Sequence, residues 1–426
     1  MLIEFSVSNY RSFREKQTLS MVAAPRLKKG KNVFTLDVRG ESVPNLLKVA
    51  AIYGPNASGK SNFIQALRTI SYFVDLTPSA QPKRLPVAPF RFDPQLAKQP
   101  SRFELHFVHA RQRYEFLLEA TSERIIVERL TGYPSGKETL LYERRHTPEG
   151  ENYIFGDRLE GGHDLHETWR KLTGPQMLFV AQAVANCSED LMQLRTPLEW
   201  LRRGLYVVSD DMRSWADASQ ELAKKVPRFA ADISSFLQDV DVPVTNIRFD
   251  PLENLNTYNA PKGIIQSQLT DTTDPKDSGE AQKSKTTLTH TSALGEADFD
   301  FSEESGGTKN LIGFWLPWSL LGEPRHMFRT LIVDEFDSSL HPRIVASLVA
   351  KHLDSDVPAQ LIFTTHDTHL MDTKLLRRDQ FWITERDVNG ATQLRSIHDF
   401  QGRESEDLEK RYFEGRYRGL PFTRKG

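Results

Sequence analysis

Residues 54–61 read Gly-Pro-Asn-Ala-Ser-Gly-Lys-Ser, and the segments on either side restrict the fold sharply. Ahead lies the apolar run Leu46-Leu47-Lys48-Val49-Ala50-Ala51-Ile52-Tyr53, which reads as a buried strand. Behind lies Asn62-Phe63-Ile64-Gln65-Ala66-Leu67-Arg68, which reads as a helix with Phe63, Ile64 and Leu67 on one face. A strand, then Gly-x-x-x-x-Gly-Lys-Ser, then a helix is the setting of a P-loop. Its glycines let backbone N–H groups wrap phosphates, and the helix start adds partial positive charge. Gly54, Pro55, Asn56, Ala57, Ser58, Gly59, Lys60, Ser61 and Asn62 are therefore the expected phosphate-binding residues. Lys60 is placed to reach the β- and γ-phosphates, and the Ser61 hydroxyl to ligate Mg²⁺. The expected ligands are ATP and Mg²⁺, with GTP left open because these contacts are to phosphates rather than to the base.

The chain of 426 residues has room for roughly two or three domains. Its formal net charge of −2 gives no global sign of nucleic-acid binding, although a local basic groove remains compatible with it. One cysteine, Cys187, cannot form an internal disulfide, which fits a reducing cytoplasm. The start, Met1-Leu2-Ile3-Glu4-Phe5, lacks the basic and apolar regions of a secretory signal. The most apolar stretch, Leu311 to Leu321, is too short to span a bilayer. The sequence thus predicts a cytoplasmic protein with no membrane partner.

Four segments follow from patterning. Residues 1–76 hold an opening strand (Leu2 to Val7), the turn Ser8 to Phe13, and the P-loop. Residues 77–164 alternate in short runs such as Phe103 to Val108 and Tyr114 to Glu119, predicting an antiparallel β-lobe. Residues 165–292 predict a helical insertion, with Leu191, Leu194, Leu198 and Leu201 at helical spacing, followed by a polar loop over Pro261 to Ser292. Residues 293–426 return to core-like sequence. The fold class is α/β: a mixed sheet with flanking helices, an antiparallel β-lobe and a helical insertion.

Leu331-Ile332-Val333-Asp334-Glu335 is an apolar strand ending in two carboxylates. Alone it is equally a buried strand with a polar end. Downstream of a P-loop it places Asp334 to hold the Mg²⁺ shell and Glu335 to orient and deprotonate water. A second such strand, Ala359 to Thr365, ends at His366, which would lie close enough to report on the γ-phosphate. Ser305-Gly306-Gly307 precedes an amphipathic run and offers a second phosphate-binding helix start. The histidines His163, His166, His341 and His369 lack metal-site spacing.

The ordered set Gly54–Ser61, Ser305-Gly306-Gly307, Asp334-Glu335 and His366 resembles the ABC-type ATPase head of the RecF/SMC-related branch. It is more similar still to bacterial AAA-family ATP-binding proteins resembling RloA and the abortive-infection ATPases. Leu2 to Phe5 with Asn9-Tyr10-Arg11-Ser12-Phe13, and the tail Phe413-Glu414-Gly415-Arg416-Tyr417-Arg418-Gly419-Leu420-Pro421, are also similar to that branch. The resemblance implies that Ser305 and Gly307 meet a γ-phosphate held by another protomer, in a two-fold dimer or higher oligomer. It implies that Asp337 is a D-loop residue, His366 the switch histidine, and Gln182 the Q-loop residue. Gln176 and Gln193 lie near Gln182, and Arg11 is equally an α-phosphate contact, a DNA contact or a surface arginine. Glu304 and Thr308 depart from the Leu and Gln usual in transporters of the superfamily.

The function this implies is an ATP-hydrolysing switch in antiphage defence, acting with a separate effector such as a nuclease. The alternatives are a DNA repair or recombination ATPase and a non-hydrolysing, ATP-dependent scaffold. For a nucleic-acid partner the basic groups are Arg377-Arg378, Arg202-Arg203, Lys224-Lys225 and Arg416, Arg418, Arg424, Lys425, interleaved in the tail with Tyr412, Phe413, Tyr417 and Phe422.

Overall fold

The computed structural model describes residues 1–77, 84–187, 191–208, 212–251, 284–322, 330–338, 340–404 and 406–420. Ser339, residues 261–283 of the expected polar loop, and Pro421, Phe422, Arg424 and Lys425 lie outside them. The chain divides into two compact units. The first is Met1–Val207, Glu323–Asp337 and Ala346–Gly426; the second is Val208–Gly322 and Ser338–Val345.

The first unit is built on two sheets. Short, fully buried runs form the inner strands of a mixed sheet: Val49–Tyr53, Thr330–Val333 and Gln360–Thr364 expose no side chain on either face. Such continuous burial is what parallel strands covered on both sides require. Strand order is Leu205–Val208, Thr330–Val333, Gln360–Thr364, Val49–Tyr53, Phe381–Arg386, Thr392–Ser396. The pairings from Thr330–Val333 through Gln360–Thr364 and Val49–Tyr53 to Phe381–Arg386 are parallel, so their carboxyl ends meet at one edge. The second sheet is the expected antiparallel lobe, seven strands running from Gly150–Phe155 through Ser101–His109 to Leu2–Ser8 and Gln17–Ser20.

Between them runs the helix Lys60–Asp75, whose Phe63, Ile64, Leu67, Ile70 and Phe73 are buried in one core with residues of both sheets. Phe63 meets Phe5 edge-on at 5.3 Å between ring centroids, tying this helix to the opening strand. The helix Met192–Arg203 joins the same core: Leu194, Leu198 and Leu201 are buried, and Trp200 stacks on Phe107 at 4.0 Å. The expected insertion boundary at residue 165 is therefore corrected, because the helices Gly162–Leu172, Phe179–Ala185 and Met192–Arg203 belong to the first unit. Leu205–Val208, within the stretch expected to be helical, is an edge strand of the mixed sheet.

The second unit packs the helix Gly306–Gly322 against Met212–Lys225 and Pro227–Asp239. Leu311, Ile312, Phe314, Trp315 and Leu316 are buried around the helix rather than along one face, and Trp315 meets Phe229 at 5.6 Å. Beside these helices stands a three-stranded antiparallel sheet, Val244–Pro251, Ser284–Ser292 and Gly295–Asp300. Residues 284–292 were expected as the end of a polar loop, and they form its central strand, with Thr287, Leu288 and Thr289 buried. Among the described residues, no helix is long and apolar enough to cross a membrane.

One buried charge network closes the first unit beneath the mixed sheet. The Lys48 ammonium donates to the carbonyls of Leu353 (2.9 Å) and Ser355 (2.7 Å), satisfying acceptors that the end of helix Pro342–Asp354 leaves open. His352 is buried with its Nε2 3.2 Å from the Lys48 carbonyl, and desolvation lowers its pKa to about 4. The unfolded chain takes up a proton near pH 6.5 that the folded chain refuses until about 4. The stability His352 contributes is therefore complete above the unfolded value and is lost as pH falls through that window, by about 3 kcal/mol. Denaturant unfolding between pH 7 and pH 4 should show this loss in the wild type and a flatter dependence in His352→Gln.

Candidate nucleotide site

The chain leaves the strand Val49–Tyr53 into a loop that only certain residues permit. Gly54 (φ 149°) and Gly59 (φ 107°) both occupy positive-φ conformations, and a Cβ on either would collide with a threonine side chain, Thr384 or Thr392 respectively. These buried threonines hold the loop from behind. The Thr384 hydroxyl donates to the Tyr53 carbonyl at 3.1 Å and lies 2.5 Å from the Ser58 hydroxyl. The Thr392 hydroxyl lies 2.8 Å from the Ser58 carbonyl and 2.7 Å from the Ser12 hydroxyl, which accepts from Asn62 Nδ2 at 2.8 Å. Pro55, Asn56 and Ala57 form the outer arc; Ala57 also has a positive φ of 60°.

Gly59 is the N-cap of helix Lys60–Asp75, so the N–H groups of its first turn face the loop. The Lys60 ammonium folds back on the Gly54 carbonyl (2.7 Å) and the Pro55 carbonyl (3.2 Å). Burial lowers its pKa, and the carboxylates of Asp334, Glu335 and Asp337 oppose that shift. Ser61 is exposed in the same first turn.

The acids come from the strand Thr330–Val333, two strands away. Between it and the P-loop strand lies Gln360–Thr364, whose last residue holds the Asp334 carboxylate and the Glu335 backbone. The Thr364 hydroxyl donates to Asp334 Oδ1 at 2.5 Å and accepts the Glu335 N–H at 2.7 Å. Glu335 itself is exposed at φ 50°, a left-handed conformation costing a non-glycine residue roughly 1–3 kcal/mol. Asp337 Oδ2 accepts the backbone N–H of His366 at 3.2 Å. Desolvation and the Lys60 charge lower the His366 pKa against the opposing pull of Asp337, Glu335 and Asp334. His366 is thus held toward its neutral form, able to donate or accept a hydrogen bond.

The donor set fits a nucleotide-bound Mg²⁺. Magnesium takes one or two protein oxygens plus phosphates and water rather than an all-protein cage. Among the described residues no group of three or more His, Cys, Asp or Glu side chains is arranged to hold a metal. Ser61 and Asp334 would supply the protein ligands.

Other expected residues lie elsewhere. Gln182 is buried in the helix Phe179–Ala185, and its amide oxygen accepts from Asn186 at 3.0 Å rather than from the phosphate loop. The Glu128 carboxylate fixes that helix by accepting the Phe179 N–H (2.7 Å) and the Val180 N–H (3.1 Å). Ser305, in the second unit, caps its own helix by accepting the Thr308 N–H at 3.1 Å, followed by Gly306 and Gly307 in the first turn. Glu304 pairs with His290 at 2.6 Å, a structural use for a residue that departs from transporter signatures. Arg11 is exposed beside Ser12, with Nε donating to the Tyr10 hydroxyl at 3.1 Å. Arg377 and Arg378, expected among the basic groups for nucleic acid, are corrected. Arg377 is buried against Asp379 at 2.7 Å, and Arg378 donates to the carbonyls of Ile397, Phe400 and Arg403. Thr364, Thr384 and Thr392 were not anticipated; the paired Thr364-Thr365 just before His366 was the signal available for the first.

The family described as "AAA domain, putative AbiEii toxin, Type IV TA system" matches residues 49–372, from the P-loop strand to just beyond His366. The chain belongs to this family. No curated protein matches it. Among solved structures, this AAA-family chain is similar to an SMC head bound to the C-winged helix domain of ScpA. That likeness has 13% identity and a TM-score of 0.42, and covers 93% of this chain and 97% of the other. The SMC head domain from Thermotoga maritima is similar at 15% identity and a TM-score of 0.39, covering 93% and 98%. The P-loop between strand Val49–Tyr53 and helix Lys60–Asp75, together with the family match, makes this AAA-family chain a P-loop NTPase.

Lys60→Ala removes the cation of the loop without touching the sheet. A charge-assisted hydrogen bond to phosphate is worth about 1.5–3 kcal/mol, so nucleotide affinity should fall about 10- to 100-fold, and the thermal midpoint should fall modestly as the buried Gly54 carbonyl loses its donor. Titration calorimetry with ATP and Mg²⁺ checks this.

Proposed function

We propose that this protein is a Mg²⁺-dependent ATP hydrolase whose nucleotide state switches its assembly. The observation that carries this reading is the convergence of Lys60, at the start of the helix after the phosphate loop, with Asp334, Glu335 and His366 just past the carboxyl ends of two paired parallel strands. Lys60 and the loop N–H groups bind the phosphates, while Ser61 and Asp334 hold the metal. Glu335 orients and deprotonates the attacking water, and neutral His366 hydrogen-bonds near the γ-phosphate. A second acid beyond the metal ligand favours hydrolysis over a scaffold that merely binds nucleotide. Glu335→Gln should lower kcat by about 10²–10⁴ while ATP affinity stays within about twofold, since a general base is lost and the cradle kept. Near-wild-type turnover in that variant would remove Glu335 from the mechanism.

The composite site is the second part of the proposal. Ser305, Gly306 and Gly307 of one protomer would complete the γ-phosphate site of another across a two-fold interface, so that ATP but not ADP favours closure. Support comes from the capped helix start that follows Ser305 and from the order of motifs along the chain. Mixing Lys60→Ala with Ser305→Arg, each inactive alone, should regenerate one intact site per heterodimer and restore part of the ATPase activity. Full-rate hydrolysis by a strictly monomeric wild type would rule the composite site out.

The family description, a putative toxin of a toxin–antitoxin system, supports a place in abortive-infection defence. There the ATPase would act as sensor or switch and a separate effector, such as a nuclease, would deliver the damage. The test is whether phage protection by the intact locus is lost in Glu335→Gln and in Lys60→Ala; protection retained in both would detach the ATPase from defence.

A further inference from the structure

The C-terminal segment forms a short strap over the edge of the mixed sheet where the site lies. Asp407 caps the helix Leu408–Phe413 by accepting the Lys410 N–H at 3.0 Å. Past it, Gly415 (φ 75°), Arg418 (φ 60°) and Gly419 (φ 70°) all turn left-handed, bending the chain back on itself. The Tyr412 hydroxyl closes the bend by donating to the Gly419 carbonyl at 2.7 Å.

Two anchors fix this strap, one at each half of the site. Glu409 Oε1 accepts from the Thr368 hydroxyl at 2.6 Å, two residues beyond His366. Gly419 lies on the strand Phe381–Arg386 so closely that a Cβ there would sit 2.5 Å from Ile383 Cγ2 and 3.5 Å from the Thr384 carbonyl. Thr384 is the residue that holds Tyr53 and Ser58 from behind, and its carbonyl also abuts Gly54. Arg418 lies 3.7 Å from Glu385 on the same strand. Burial at the end of the P-loop strand pushes the Tyr53 hydroxyl pKa up, and the nearby Asp367, Asp337, Tyr412 and Glu409 push it the same way. Phosphate-loop strand, switch segment and strap therefore share one neighbourhood.

We propose that the strap of residues 407–420 belongs to the nucleotide machinery, holding the His366 segment in register with the phosphate loop through the Thr368–Glu409 hydrogen bond and the seat of Gly419 on Ile383–Thr384. Thr368, Glu409 and Gly419 are positioning residues. The inference rests on the reading of this site as an ATP hydrolase. The strap touches His366 and the phosphate loop through intervening residues, so it governs turnover more than affinity.

Thr368→Val removes the hydroxyl at nearly constant volume, and Thr368→Ser restores it. In the full-length protein, kcat for ATP should fall about 5- to 20-fold in the Val variant, with KM, ATP affinity and thermal midpoint little changed. The Ser variant should return kcat to within about twofold of wild type. Unchanged kcat in Thr368→Val, or failure of Thr368→Ser to recover it, overturns the proposal. So does a fall in kcat matched by equal losses of affinity and thermal stability. A wild type that binds ATP without hydrolysing it fails the Glu335 reading alone, and hydrogen exchange then decides the strap. ATP-induced protection of residues 364–370 should be present in wild type and lost in Thr368→Val while that of residues 54–62 persists; equal protection of 364–370 in both overturns it.

Discussion

Everything at this site depends on the phosphate loop being pinned from its inner side by hydroxyls. A loop carrying Gly54 and Gly59 at positive φ has little conformational preference of its own, since glycine samples both halves of φ space. Thr384 and Thr392 remove that freedom by meeting the loop where a side chain would otherwise be. They also satisfy the Tyr53 and Ser58 carbonyls, groups that burial would otherwise leave without a donor. Both threonines come from strands beyond the P-loop strand, so the loop inherits its shape from the sheet. Thr364 does the same on the other side, orienting Asp334 and the backbone of Glu335 from an intervening strand.

This division explains what the sequence made legible. The glycines, Lys60 and the strand-end acids announce themselves because their chemistry is unusual for a buried strand or a turn. Threonine within a strand is ordinary, favoured by its β-branched side chain, and nothing in its spacing separates a packing threonine from one that holds a catalytic loop. The parallel core was readable from its uninterrupted apolar runs. The strand Ser284–Ser292 was not, because it alternates threonine with other polar residues and buries Leu288 as its one large aliphatic side chain. Arg377 and Arg378 misled for the opposite reason: adjacent arginines read as surface, and here backbone carbonyls and carboxylates compensate their burial. The unit boundary failed at residue 165 because helical spacing reveals an apolar face but not the partner it meets, which for Trp200 is Phe107 on the antiparallel lobe.

The charge balance of the site has a mechanistic consequence under the proposed reading. Lys60 is the cation on the loop, and it faces Asp334, Glu335 and Asp337. A triphosphate arriving alone would bring several more negative charges toward three carboxylates, and in a partly desolvated cleft that repulsion is screened weakly. Ser61 and Asp334 would hold a nucleotide-bound Mg²⁺, whose positive charge would offset that repulsion and make the Asp334 carboxylate a ligand rather than an opponent. Glu335 follows Asp334 directly and takes a left-handed backbone, and under the proposed reading this turn would separate a base from a ligand when the two are adjacent in sequence. Under that reading the strained φ would be the local cost of giving two neighbouring carboxylates different tasks. Thr364 holds that geometry by fixing the Glu335 N–H and the Asp334 carboxylate with a single hydroxyl, leaving the Glu335 side chain free to meet water.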